Sequence, residues 1–248
     1  MSMPWKTAWV TGASTGIGRE LVLKLSRAGV RVAASARSAD KLDALARMDA
    51  NIVPVPLDVT RPAGVSAAFE RIVAEFGGVD LVVLNAGIWH PMPSSEYVVA
   101  KAVQSMEVNY FGIVNVLEPV IPLMIRNGKG QIALVASVAG YRGLPKAAAY
   151  APSKAAVISL AEVLRLELSR HNIIVSVVNP GFVETPMTAV NTFPMPFMLT
   201  PEDAAEQIIK GLARGRFEIA FPWQLVTIMK LLRAMPNWLF LRLGGRIS

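Results

Sequence analysis

Lys6-Thr-Ala-Trp-Val10, followed at once by Thr11-Gly-Ala-Ser-Thr-Gly-Ile-Gly18, is the stretch that decides the fold. The first five residues are a short apolar run that predicts a strand. A helical pattern begins after the glycines and continues through Ala28. Glycines at 12, 16 and 18, between a strand and a helix, let the backbone turn tightly and approach a pyrophosphate. The helix N-terminus then offers free N–H groups and a favourable dipole to the anion. The spacing is G-x-x-x-G-x-G, not the commoner G-x-G-x-x-G, and a glycine-rich turn alone is often only a turn. The strand before it and the amphipathic helix after it carry the reading further.

Outward from this stretch, strands and helices alternate along the chain. Arg31-Val-Ala-Ala-Ser35 is the second strand and ends in Ala36-Arg37. Dinucleotide folds place an acid about 20 residues past the glycines to hold the adenosine 2′-hydroxyl of NAD. Here alanine and then a guanidinium stand in that neighbourhood. Arg37 is placed to pair with a 2′-phosphate, which points to NADP; the alternative is a solvated arginine at a strand end. Asn51–Leu57 reads as the third strand. Asp58-Val59 follows, placed to reach an adenine amino group, although Asp58 is equally an N-cap for the helix from about Pro62 to Phe76. Asp80–Leu84 is the fourth strand and ends in Asn85-Ala86-Gly87, small enough to lie against adenosine. A long helix is expected from about Ser95 to Ile125, with Asn109 in its middle and a kink or early end at Pro119 and Pro122. Asn109 is either merely exposed or an amide that holds a water against Lys154.

A second decisive stretch is Tyr150-Ala-Pro-Ser-Lys154. On a helix these two side chains share a face one turn apart. A tyrosine titrates near ~10, and a lysine ammonium beside it favours the phenolate, making a general acid/base. Ser137 closes the apolar run Ile132–Ala136, a buried parallel strand, and its hydroxyl is placed to bond the oxygen whose proton Tyr150 handles. A lone Tyr-x-x-x-Lys is more often an ordinary surface pair, so the remaining features must decide. The helix is expected to run to about Arg170. A sixth strand, Ile173–Val178, ends in a turn carrying Pro180, Gly181, Phe182, Val183 and Thr185, and Phe217–Phe221 is a seventh.

The bulk properties set limits. At 248 residues the chain suits one large domain, and 53% hydrophobic residues fit a sheet buried on both faces. No apolar run reaches the ~18 residues of a spanning helix, and the start lacks a signal-type core. Cysteine is absent and there are two histidines, which excludes disulfides, thiol nucleophiles and most metal sites; no metal is expected. The net charge is +7, and residues 216 to 248 hold five basic residues against one acid. Those cations lie among Leu, Ile, Met and Trp, which argues against nucleic acid. A cytoplasmic location is the default.

The glycine turn, Asn85-Ala86-Gly87, Asn109, Ser137, Tyr150/Lys154 and the Pro180-Gly181 turn together resemble the short-chain dehydrogenase/reductase family, over about residues 5 to 222. The alternation and the resemblance predict an α/β fold: a doubly wound parallel sheet of about seven strands, the Rossmann fold, with helices on both faces. Residues 1–222 would form the catalytic domain and 223–248 a helical extension of it. The resemblance implies a catalytic set of Asn109, Ser137, Tyr150 and Lys154. It implies cofactor contacts from Gly12, Ser14, Thr15, Gly16, Ile17, Gly18, Arg37, Asp58 and Val59. Further contacts would come from Asn85, Ala86, Gly87, Tyr150, Lys154, Pro180, Gly181, Val183 and Thr185. The reaction implied is hydride transfer between NADP(H), favoured over NAD(H), and a carbonyl or secondary alcohol. The family's habit implies a homodimer or homotetramer.

The substrate pocket is expected from Ser137, Tyr141, Leu144, Tyr150 and Phe182, with the uncharged 186–199 loop and Trp89 and His90 nearby. Such a lining suggests an apolar, lipid-like carbonyl or alcohol. Departing from the family's usual short ending, Trp223–Arg233 and Asn237–Leu243 read as two amphipathic helices. They are read first as a flap over the active site or a dimer contact, and second as an interfacial helix on an anionic membrane. Rival functions are a catalytically idle dinucleotide sensor or scaffold, and a membrane-surface protein acting through this extension.

Overall fold

The computed structural model describes residues 3–244; Met1, Ser2 and residues 245–248, Arg246 among them, lie outside the described residues. The first half runs β1 (Thr7–Thr11), α1 (Gly16–Arg27), β2 (Arg31–Ser35), α2 (Ala39–Ala46), β3 (Ile52–Pro54), α3 (Pro62–Phe76) and β4 (Leu81–Leu84). Then come α4 (Val99–Met106), α5 (Gly112–Asn127), β5 (Gly130–Val135), α6 (Tyr150–Leu168), β6 (Ile173–Pro180), α7 (Pro201–Ala213) and β7 (Glu218–Phe221). Two C-terminal helices follow, α8 (Trp223–Ala234) and α9 (Asn237–Gly244). All seven strands are parallel, in the order β3-β2-β1-β4-β5-β6-β7.

Period-two alternation within the strands builds two cores. Trp9, Val82 and Leu84 face one side with Ile72, Val116, Val157 and Met229 of α3, α5, α6 and α8. Ala8, Val10 and Val83 face the other with Leu21, Leu42 and Ile208 of α1, α2 and α7. Strands buried on both faces explain why the sequence is so apolar. The chain leaves β1 towards β3 on one side and returns to β4 on the other. That reversal opens a crevice at the strands' carboxyl ends, where ligands bind in such sheets.

Three local expectations are corrected. The third strand, Ile52–Pro54, is shorter than Asn51–Leu57, although the chain keeps bonding to β2 beyond it. As β3 is an edge strand, only its inward N–H groups matter, and Val55 and Leu57 still donate to Ala34 and Ala36 at 2.9 Å. Asp58 is not the N-cap of α3; Arg61 holds that position, and Asp58 Oδ1 instead accepts from Thr60 N and Oγ1 at 3.0 and 2.8 Å.

The long helix does not break at Pro119 or Pro122. It is interrupted earlier, by a π turn at Glu107–Phe111, and then runs through both prolines to Asn127, where Gly128 (φ 62°) ends it. An interior proline costs about 3 kcal/mol, whereas burying a large apolar side chain contributes about 1.5–3 kcal/mol. Ile113, Val116, Leu117, Val120 and Met124 are all buried, so packing wins. Val99–Asn127 is also apolar and long enough, by length and composition, to cross a membrane, which corrects the expectation that no run reaches that length. Part of that apolar surface packs against the sheet, through Ile113, Val116, Leu117, Val120 and Met124, while Val99, Val103 and Phe111 are exposed.

Candidate active site

Local chemistry at the end of β1 shapes the first wall of the site. Gly12 and Gly16 take the left-handed conformation, with φ of 68° and 54°, which side chains rarely adopt. Asn85 pins this turn, donating through Nδ2 to the carbonyls of Thr11 and Gly12 at 3.1 Å, while Thr11 Oγ1 accepts from Asn85 N and Ala86 N. Thr15, the N-cap of α1, makes no side-chain capping bond, and the helix has no acid in its first turn. The N–H groups there remain available to an anion.

The crevice is a cavity of about 680 Å³. Gly12, Ser14, Thr15, Gly16 and Ile17 line it beside Arg37, Asp58 and Val59. Asn85, Ala86, Gly87, Ser137, Leu144, Tyr150 and Lys154 follow, then Pro180, Gly181, Phe182, Val183 and Thr185. Gly18 is behind this wall, where it allows α1 to meet the turn. Asn109 is buried outside the lining. Its amide is already spent: Oδ1 accepts from Ile88 N at 2.7 Å, and Nδ2 donates to Ile88 O and Ser153 Oγ at 3.1 and 3.0 Å. The side chain thus braces the segment after β4.

Two expected pocket residues lie elsewhere. Tyr141 is buried away from the cleft, its hydroxyl donating to Glu218 Oε1 at 2.5 Å, and burial together with that carboxylate raises the phenol's pKa strongly. His90 is bonded to Gln104 at 2.9 Å and does not line the cavity. Trp89 does, with its ring edge-on to Tyr150 at 5.0 Å and its Nε1 donating to Asn191 Oδ1. The sequence reading missed Lys146, Asn191 and Phe193 individually; all three also line the cavity. Only the run without charge after Pro186 signalled the last two.

Ser137, Tyr150 and Lys154 meet where β5 ends and α6 begins. Ser137 Oγ donates to Pro180 O at 3.3 Å and accepts from Ala139 N at 3.1 Å. Lys154, 3% exposed, donates to Val135 O at 2.9 Å, and its Nζ lies 5.6 Å from the Tyr150 ring centre. Gly87 lies beside it: a Cβ there would lie 3.2 Å from Asn109 Oδ1 and in ordinary contact, 3.5 Å, with Lys154 Nζ. Burial pushes the Tyr150 phenol up to about 12, with the Ser137 hydroxyl pulling the other way, and pulls Lys154 down to about 8. The expectation that the ammonium holds Tyr150 towards phenolate is therefore corrected. Desolvation favours the neutral form of both groups.

At the far end Arg37 is exposed and makes no hydrogen bond or ion pair among the described residues. Asp58 is held below its ordinary value. Burial alone would raise it, but the Thr60 N–H and hydroxyl and the Arg37 and Arg61 charges outweigh that. Among the described residues no cluster of His, Asp or Glu suits a metal ion.

Comparison with known proteins agrees with this geometry. Residues 6–193 match the model of the short chain dehydrogenase family. A Myxococcus xanthus protein described as an uncharacterized oxidoreductase is 40% identical over 96% of both chains. The 3-oxoacyl-(acyl-carrier-protein) reductase FabG of Thermotoga maritima is 34% identical, over 88% of this chain and 86% of its own. A Burkholderia cenocepacia short chain dehydrogenase, solved in complex with NADP, superposes with a TM-score of 0.85 at 31% identity, over 98% of this chain and 99% of that one. The chain belongs to the short-chain dehydrogenase/reductase family. It is an NAD(P)-dependent oxidoreductase acting on CH–OH or C=O groups.

Proposed function

We propose that the protein is an NADP(H)-linked reductase of an apolar, lipid-like ketone, working reversibly on the corresponding secondary alcohol. The carrying observation is that Ser137, Tyr150 and Lys154 converge at one end of a single cleft whose other end holds the Arg37 guanidinium, without a hydrogen bond or ion pair among the described residues. The residues fit a dinucleotide: an uncapped helix N-terminus behind a glycine turn for the pyrophosphate, and Lys154 reaching past Gly87 for the ribose. Arg37 would hold the 2′-phosphate, supported by Ser38, which lines the cleft and makes no side-chain bond capping α2. Solved dehydrogenases of this fold hold NADP, NADH or NAD, so the preference rests on Arg37.

When bound, the nicotinamide supplies or accepts the hydride. Tyr150, protonated at neutral pH because burial holds its pKa near 12, gives its proton to the carbonyl oxygen. Ser137 orients that oxygen from the end of β5, and the Lys154 ammonium stabilises the phenolate left behind. In the reverse direction the phenolate takes the alcohol proton. Asn109 keeps the Ile88 segment in place, while Trp89, Leu144, Phe182, Met187 and Phe193 give the reacting end an apolar wall.

Exposed apolar side chains on the long helices, Val99, Val103 and Phe111 with Val163 and Leu166, support a homodimer or homotetramer through that surface. A cytoplasmic location belongs to the same proposal. The test is to titrate the protein with NADPH and with NADH, following nicotinamide fluorescence, and then to screen apolar ketones. Tight NADPH binding with weak NADH binding is expected; preferential NADH binding overturns the role given to Arg37.

A further inference from the structure

The apolar half of the cleft opens between residues 142–146 and the 186–199 loop, which approach each other where Lys146 Nζ lies 5.9 Å from the Phe193 ring centre. Helix α9 is anchored to the first of these segments. Arg142 donates to Asn237 Oδ1 at 2.7 Å, and its guanidinium lies 4.2 Å from the centre of the Phe240 ring. The C-terminal helices therefore stand beside the mouth of the cleft. They are not a flap over it, since no described residue beyond Pro194 lines the cavity.

The inner side of α8 is committed to the core through Leu225, Val226 and Met229. Its outer side and that of α9 are not: Trp223, Leu231, Trp238 and Leu241 are 66–73% exposed. Val190 and Phe197 on the 186–199 loop are exposed too. Cations predominate on α8, α9 and residues 142–146, while Glu184, Glu202 and Asp203 flank the ends of the 186–199 loop. Residues 219–242 contain Lys230, Arg233 and Arg242 and no acid, the loop has no charge, and Arg142 and Lys146 add two cations. The neighbouring acid, Glu218, is paired with Lys230.

We propose that this face seats on an anionic membrane surface, so that the cleft draws its apolar substrate from the lipid. The proposal rests on the apolar-substrate reading above and names where that substrate comes from. Tryptophan rings and leucines among cations suit the headgroup boundary of a bilayer. Helices of 12 and 8 residues are too short to span and would lie in its plane. A second copy of the chain is the poorer occupant, because a two-fold contact sets this cationic face against itself.

The test is flotation of the full chain with phosphatidylcholine vesicles, with and without phosphatidylglycerol. Flotation is expected with the anionic vesicles, reduced by salt and weak with phosphatidylcholine alone. Trp238→Ser with Leu241→Ser should abolish it, while Arg233→Gln and Arg242→Gln should each lower partitioning on the order of fivefold. NADPH binding equal to the unmodified protein shows that each variant is folded. The proposal is overturned if the full chain does not float with anionic vesicles, or if folded variants float like the parent. It is equally overturned if the substitutions instead lower the molecular mass in sedimentation, which makes the face a contact between copies. Turnover of a water-soluble ketone is measured without vesicles. Loss of flotation with turnover intact overturns the membrane seat alone, whereas absence of turnover overturns the enzyme reading beneath it.

Discussion

Lys154 donates to the carbonyl oxygen of Val135 at 2.9 Å, from a position 5.6 Å from the ring centre of Tyr150. The ammonium is thus fixed by the end of β5, the strand that Ser137 follows, and faces the cleft past Gly87. Its place depends on the sheet, not on an ion pair with an acid.

That arrangement gives a pH dependence. Lys154 has its pKa lowered to about 8 by burial, so its charge is present below that value and lost above it. If the charge contributes to holding the cofactor, the NADPH dissociation constant rises several-fold from about pH 7 to about pH 9. Lys154→Met should bind weakly at both ends of that range and lose the pH dependence, as measured by fluorescence titration. A flat profile in the parent protein removes Lys154 from cofactor binding.

Gly18 is the least tolerant position of the turn. A Cβ there would lie 2.2 Å from the Gly12 carbonyl oxygen and 2.5 Å from Asn85 Nδ2, both parts of the pinned loop. Gly18→Ala should lower stability by about 2 kcal/mol or more and weaken NADPH binding, read by thermal unfolding and titration. Unaltered values in both would mean that the turn is free to move.

Arg37→Ala should weaken NADPH binding roughly tenfold to a hundredfold, the value of a charge-assisted hydrogen bond, and leave NADH binding within about twofold. Equal losses for both cofactors would assign Arg37 a structural role. Titration of each reduced cofactor decides it.

Tyr141→Phe separates the buried tyrosine from the catalytic one. Removing its hydroxyl takes one donor from Glu218, which keeps Lys230 and Asn179, so about 1 kcal/mol of stability should be lost. KM for an apolar ketone should stay within about twofold, since the ring does not touch the cleft. A large change in KM alone would return Tyr141 to the substrate pocket.

Much of the fold was legible because its signals are local. Strand–helix alternation, the glycines at 12, 16 and 18, and the apolar runs of β4, β5 and β6 each announce one element of a sheet buried on both faces. What misled was tertiary. Pro119 and Pro122 carry a local stop signal that five buried side chains on α5 override. Tyr141 was placed in the pocket because it follows a strand end, whereas its hydroxyl turns away to Glu218, 77 residues later and on β7. The pairing of Tyr150 with Lys154 was visible in their spacing. Their electrostatics were not, because burial sets the sign of both shifts and spacing does not report burial.

The most direct measurement is NADPH oxidation with a panel of apolar ketones, comparing the parent protein with Tyr150→Phe. Tyr150 is the proton donor in this account, so turnover should fall at least about a hundredfold while NADPH affinity changes little. Equal turnover by the two proteins would contradict the proposed chemistry of the site.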